Sequence, residues 1–263
     1  MTVEKAVLNR YLFTQLNLDS GALTTLGTVI HNFAEPGRYL INVWRGESLA
    51  GSLHLTVDPE CPATQVTIDL AAVEGQDQPC CGDSATALAV SPKGYAVFHV
   101  GTGAGGYAVT AGRIDRDKSD KVFDSRELQA GDMFAATILR PGTYGVVNLR
   151  TKARAQLTVA YPKVGKARYV PQDPLSIECT KDGFRPSAIE VNAAQSQVFR
   201  IATPSRLRID LLKADDGPHG GQPARPGWRK PDLETGETPP RGRQPSGTPQ
   251  QAQAGKKGGG KAN

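Results

Sequence analysis

The chain has 263 residues, 38% of them hydrophobic and 22% charged, with a formal net charge of +5. That length holds one large core or two smaller ones, and 29 Gly with 19 Pro demand frequent turns, which favours short strands over long helices. No apolar run of about 18 residues occurs, which excludes a helical membrane span.

In chain order, "VEKAVLNRYLFTQL" (3–16) has a helical period, with Val7, Leu8, Tyr11 and Leu12 near one face, so a short N-terminal helix is expected. The same stretch lacks the apolar core and small-residue cleavage site of a secretory signal, so a cytoplasmic location is expected, with other export routes left open.

Phe33 to Asp58 reads "FAEPGRYLINVWRGESLAGSLHLTVD", and Ile138 to Pro162 reads "ILRPGTYGVVNLRTKARAQLTVAYP". Both place Pro-Gly two residues before a Tyr (Pro36 and Tyr39, Pro141 and Tyr144) and close on Leu-Thr-Val. Proline fixes φ and donates nothing to a central ladder, so Pro-Gly marks a strand start. Each phrase is expected to be a β-hairpin that closes one sandwich unit, turning within "NVWRGESLAG" or "NLRTKAR". Tyr39 and Tyr144 are then matching core or corner residues.

Between and after these phrases lie further strand patterns. "QVTIDLAAV" alternates at Val66, Ile68 and Leu70. "GYAVFHV" and "GYAVTAGRI" flank the tight turn "GTGAGG", and "DMFAATIL" leads into the second Pro-Gly. "SAIEVNAAQSQVFRIATPSRLRIDLL" offers three more strands. About a dozen short strands with one helix predict an all-β chain of two β-sandwich units. The expected bounds are 1–73 for the first unit, completed by 170–215, and 85–162 for the second. Residues 216–263 form a tail expected to be disordered, because so polar a segment buries too little apolar surface to offset its ordering entropy.

The tail holds the whole net charge. From Gly217 onward there are eight Lys/Arg against three acids, and the remainder balances at 23 of each. A solubilising role is the expectation for the tail, with contact to anionic surfaces as the alternative. Nucleic acid is not expected, because the cations are dispersed and Trp228 is the tail's only aromatic. Its removal is expected to leave thermal stability unchanged.

"RPGTYGVVN" (140–148) resembles the final hairpin of cupredoxin-like domains, and "DGFRPSAIEVNAAQSQVFRI" (182–201) is similar to their opening strands. The resemblance implies a sandwich architecture. In copper-carrying members a Cys thiolate follows four residues past the Tyr, because that copper prefers soft sulfur with imidazole nitrogen. Here those positions are Asn148 and Val43, so no copper ligands and no cofactor carry over.

The chemistry-bearing residues form no known motif. Cys61, Cys80, Cys81 and Cys179 show neither C-x-x-C nor zinc spacing, leaving free thiols, a disulfide from Cys61, or a metal site open. His31, His54 and His99 lie in strand-like sequence and His219 in the tail. "GTGAGG" is followed by strand pattern, so it supplies no helix N-terminus for a phosphate. "RIDRDKSDKVFD" lacks the Gly and terminal Glu of an EF loop.

The functional expectation is a non-catalytic structural or protein-interaction module, bound to a protein partner or to itself. The alternative is a copper-handling or enzymatic protein on a cupredoxin-like scaffold. Assembly is expected through uncharged strand edges, with Tyr95, Val97 and Val109 as candidates if "GYAVFHV" and "GGYAVTAG" pair as an edge hairpin, and Trp228 as a further contact; the alternative is that both are central strands, where missing charge only reflects burial.

Overall fold

The computed structural model describes residues 11–74, 88–115, 118–161 and 172–216. In chain order the elements are α1 (Tyr11–Thr14), β1 (Asn17–Asp19), β2 (Gly27–His31), β3 (Gly37–Arg45), β4 (Ser48–Val57), β5 (Gln65–Asp69), α2 (Leu70–Val73), β6 (Leu88–Val90), β7 (Tyr95–His99), β8 (Tyr107–Asp115) and β9 (Lys118–Asp124). There follow β10 (Met133–Thr137), β11 (Gly142–Asn148), β12 (Arg154–Ala160), β13 (Leu175–Thr180), β14 (Gly183–Arg185), β15 (Ala188–Asn192), β16 (Ser196–Ile201) and β17 (Leu207–Ala214). The chain is all-β, with a short helix after the N-terminus, and no described helix is long and apolar enough to cross a membrane.

Alternation sets the faces. Gly142, Tyr144, Val146 and Asn148 of β11 are buried, and the residues between them are not. The same period runs through β3, where Tyr39, Ile41 and Val43 are buried. Pro-Gly opens both strands, and the Gly is obligatory: φ is 149° at Gly37 and 153° at Gly142. A Cβ on Gly142 would also lie 2.5 Å from the Lys213 carbonyl oxygen. Both hairpins form as the repeated phrase predicts, β3 with β4 and β11 with β12. The first turn is tighter than expected: Arg45 pairs with Ser48, and Gly46, at φ 62°, starts the two-residue loop.

The strands build three sheets. A seven-stranded sheet runs β14-β13-β16-β10-β2-β7-β5. Two five-stranded sheets run β6-β4-β3-β8-β9 and β15-β12-β11-β17-β1. The two halves of the chain repeat one topology. β4 takes β6 in parallel and β12 takes β15; β7 takes β5 in parallel and β16 takes β13; β3 takes β8 antiparallel and β11 takes β17. Even the short bridges correspond, Leu23 to Tyr107 and Leu128 to Ser205. β1 takes beside β17 the place that β9 takes beside β8.

The halves meet where β2 pairs antiparallel with β10. Val29 stands opposite Phe134, Ile30 opposite Met133, and Thr28 opposite Ala135. Val29 and Phe134 are equivalent positions in the repeat, so a pseudo-twofold axis passes through their pair, perpendicular to the sheet. Both are fully buried in one continuous core. Directly opposed residues of an antiparallel pair point to the same face. The two five-stranded sheets therefore pack on the same side of the seven-stranded sheet, one over each half.

Two expectations, on the repeated hairpin and on an edge hairpin, are corrected. The pairings group β2–β9 and β10–β17 as two halves joined by the β2–β10 pair, with β1 added beside β17, so the hairpins and the strands between them are placed differently from the expectation. The repeated hairpin supplies the second and third strands of each half and does not close it, because four or more strands follow each time. β7 and β8 form no edge hairpin: β7 lies between β2 and β5, and β8 lies in another sheet between β3 and β9. Their missing charge reflects central placement. A smaller departure is α2, which breaks the expected run at Leu70 because Asp69 caps it, its Oδ1 accepting from the Ala71 N–H at 3.1 Å.

Candidate interaction surface

The seven-stranded sheet has one face in the core and one face outward. Strand register orders the outward residues into rows. One row reads Thr67, Val97, Ile30, Met133, Arg200, Glu178; beside it Asp69 pairs with His99, and Thr28, Ala135, Val198 and Ser176 run in register. The centre is apolar: Val97, Ile30, Met133, Ala135 and Val198 adjoin across the seam between the halves. All five are half-buried, as neighbouring strands shield one another on an open face. Charge is confined to the flanks. Arg200 with Glu178 on one side and His99 with Asp69 on the other are equivalent pairs of the repeat. Among the described residues no second layer lies on this face.

Of the residues expected to mediate contact, Val97 belongs to this apolar centre, and Tyr95, 41% exposed, stands beside it on β7. Val109 does not: it is fully buried between β3 and β9 and faces the core. Trp228 and the tail lie outside the described residues, as do Cys80, Cys81 and His219. Residues Ile30, Met133, Ala135 and Val198 escaped sequence reasoning. The signal was present as apolar residues at the second phase of strands β2, β10 and β16, but period two alone does not say which phase meets the core.

Tyr39 and Tyr144 do equivalent work. The Tyr39 hydroxyl donates to the Glu35 carbonyl at 2.7 Å, and the Tyr144 hydroxyl donates to the Arg140 carbonyl at 2.8 Å. Each ring is buried and each hydroxyl ties the chain back four residues, across Pro36 in one case and Pro141 in the other. Burial raises the pKa of both phenols.

Among the described residues three polar clusters are candidates for chemistry, and each is held together by hydrogen bonds. Asn148, four residues past Tyr144, is fully buried. Its Nδ2 donates to Ser205 Oγ at 2.9 Å and lies 3.6 Å from Cys179 Sγ. Its Oδ1 accepts from the backbone N–H groups of Arg150 (3.0 Å) and Arg206 (3.3 Å). It therefore clamps the β11–β12 turn to the loop before β17. Burial pushes the Cys179 thiol up, away from the reactive thiolate. The equivalent of Asn148 in the first half is Val43, which is apolar and equally buried.

The second cluster pins the end of α2. Glu74 accepts from the Tyr107 hydroxyl at 2.5 Å and from Arg45 Nη1 at 2.9 Å, and the Arg45 guanidinium lies 5.6 Å from the Tyr107 ring centre. Burial, then the bond to Glu74, pushes Tyr107 up to about 12, while the Tyr107 and Arg45 bonds lower the Glu74 carboxyl. The phenol thus keeps its proton and the carboxylate its charge, and the pair ties the end of α2 to the start of β8. The third cluster links the halves: His31 Nδ1 lies 2.6 Å from Asp132 Oδ1, the other Asp132 oxygen accepts from the Gln129 N–H at 2.7 Å, and Phe33 and Phe123 flank the imidazole at 4.5 Å. His54 is exposed on β4 and His99 half-buried on β7.

Cys61 and Cys179 are free thiols, and no group of three His, Cys, Asp or Glu that could hold a metal forms among the described residues. An open groove of about 320 Å³ lies between β1 and the "GTGAGG" turn, lined by Asn17, Asp19, Thr24, Gly105, Gly106 and Arg208. Its charges are engaged: Asp19 takes both arms of Arg206 at 3.0 Å, and Arg208 pairs with Asp210. No family model, curated protein or solved structure matches this chain.

Proposed function

We propose that this protein is a non-catalytic β-sandwich module that acts by binding another protein or a further copy of itself, through the outward face of its seven-stranded sheet. The observation that supports the reading is the apolar centre formed by Val97, Ile30, Met133, Ala135 and Val198, rimmed by Asp69, His99, Arg200 and Glu178. An apolar centre inside a polar rim is the anatomy of a protein interface.

The test is Met133→Lys. Met133 faces outward and half-exposed, so the longer side chain reaches water and the fold is kept. Size-exclusion profiles of the wild type with and without cell extract should show a shifted complex, and the Met133→Lys protein should elute alone at an unchanged melting temperature. Retention of the complex by Met133→Lys and Ile30→Lys alike would reject the face.

A further inference from the structure

We infer that the chain pairs with a second copy of itself through β5, extending the seven-stranded sheet across a twofold axis at Thr67. The inference rests on the binding reading above and names one partner and one strand for it.

β5 is an outer strand of the seven-stranded sheet and, among the described residues, pairs only with β7. The direction of its free backbone groups follows from one bond. The Tyr95 N–H donates to the Thr64 carbonyl, which in a parallel ladder turns residues 64, 66 and 68 toward β7. Gln65, Thr67 and Asp69 therefore turn their N–H and C=O groups outward. The repeat shows what such an edge accepts. The equivalent strand, β13, carries β14 antiparallel on its outer side, with Glu178 opposite Arg185 and Thr180 opposite Gly183. No described strand takes that place beside β5.

Natural sheet edges are guarded by charge, proline or shortness. β1, β6 and β14 are three residues long. β9 carries Asp120, Lys121 and Asp124, and β15 carries an exposed Glu190. β5, "QVTID", is five residues long without Lys, Arg or Pro. Its one charge, Asp69, already accepts from the N–H groups of Ala71 and Gly101.

The sequence of β5 complements itself. In an antiparallel pair centred on Thr67, the two Thr67 residues exchange both backbone bonds, and each Asp69 N–H meets a Gln65 carbonyl, giving about four bonds. Thr stands opposite Thr and Gln65 opposite Asp69 on the exposed side, and Val66 stands opposite Ile68 on the core side. No like charges are apposed, and β-branched pairs are favourable across strands. The molecule already joins two sandwiches in this manner at β2 and β10, about an axis perpendicular to the same sheet.

One added strand pair makes a small, transient interface. Sedimentation equilibrium of the full chain from about 10 to 500 μM should show the mass rising from 28.0 kDa toward twice that value. Thr67→Pro removes an outward N–H that β7 does not use, a change that edge strands tolerate, and should leave a folded monomer. Thr67→Glu and Thr67→Lys should each be monomeric alone, because like charges meet on the axis. An equimolar mixture of the two should recover the dimer. A wild type that stays at 28.0 kDa throughout, or a dimer indifferent to all three substitutions, overturns the proposal. A dimer lost in Met133→Lys but kept in Thr67→Pro overturns the edge while leaving the sheet face standing as the binding surface.

Discussion

Replacing the two repeated tyrosines in turn tests whether the halves are equivalent in energy as well as in topology. Tyr39 is 3% exposed and Tyr144 2%. Removing only the hydroxyl, with Tyr→Phe, keeps the ring in place and leaves one backbone carbonyl, Glu35 or Arg140, without its donor. That should cost about 1 to 2 kcal/mol at either site. Tyr→Ala also removes a ring of roughly 150–250 Å² from the core, and should cost about 3 to 5 kcal/mol. The two sites lie in different five-stranded sheets, so Tyr39→Phe and Tyr144→Phe should add within about 0.5 kcal/mol in the double variant. Urea unfolding followed by fluorescence measures all of these. The reasoning is refuted if either Tyr→Phe costs as much as its Tyr→Ala, since the ring would then contribute nothing. It is refuted equally if Ala at one site is silent while Ala at the other is severe, because the repeat would not be load-sharing.

Three further outcomes are expected. Tyr39, Tyr107 and Tyr144 hold their protons more tightly folded than unfolded, where the phenol value is 10.0, so their contribution is complete below pH 10 and is lost as pH rises through the folded values, about 12 for Tyr107. Alkaline unfolding should therefore begin above pH 10 and flatten in Tyr107→Phe, read by circular dichroism alongside tyrosinate absorbance. Gly142→Ala should destabilise more than Gly37→Ala, since its Cβ meets the Lys213 backbone at 2.5 Å whereas that of Gly37 meets the Arg113 side chain at 3.2 Å; denaturant midpoints check the order. Phe134→Ala at the seam, where the ring is fully buried and stacks on Phe199, should cost about 3 to 5 kcal/mol and lower a single calorimetric transition, and two separated transitions would contradict the shared sheet.

What the sequence determined by itself is local. Period-two alternation and the two Pro-Gly-x-Tyr phrases specify strands and hairpins, because Pro fixes φ, Gly alone takes φ near 150°, and a Tyr two residues on reaches the carbonyl four back. Tertiary structure decided the rest. Alternation reads the same in an edge strand as in a central one, so "GYAVFHV" and "GYAVTAG" fit either an edge hairpin or two central strands, and only the pairings place them in different sheets. Nor does the sequence say that Asn148 meets Cys179 and Ser205, since partners 31 and 57 residues away are chosen by sheet stacking. The outward face was hidden for the same reason. Ile30, Met133 and Val198 read as core by hydrophobicity, and only the pairing of Val29 with Phe134, which puts both outer sheets on one side, leaves the opposite side of the seven strands uncovered among the described residues.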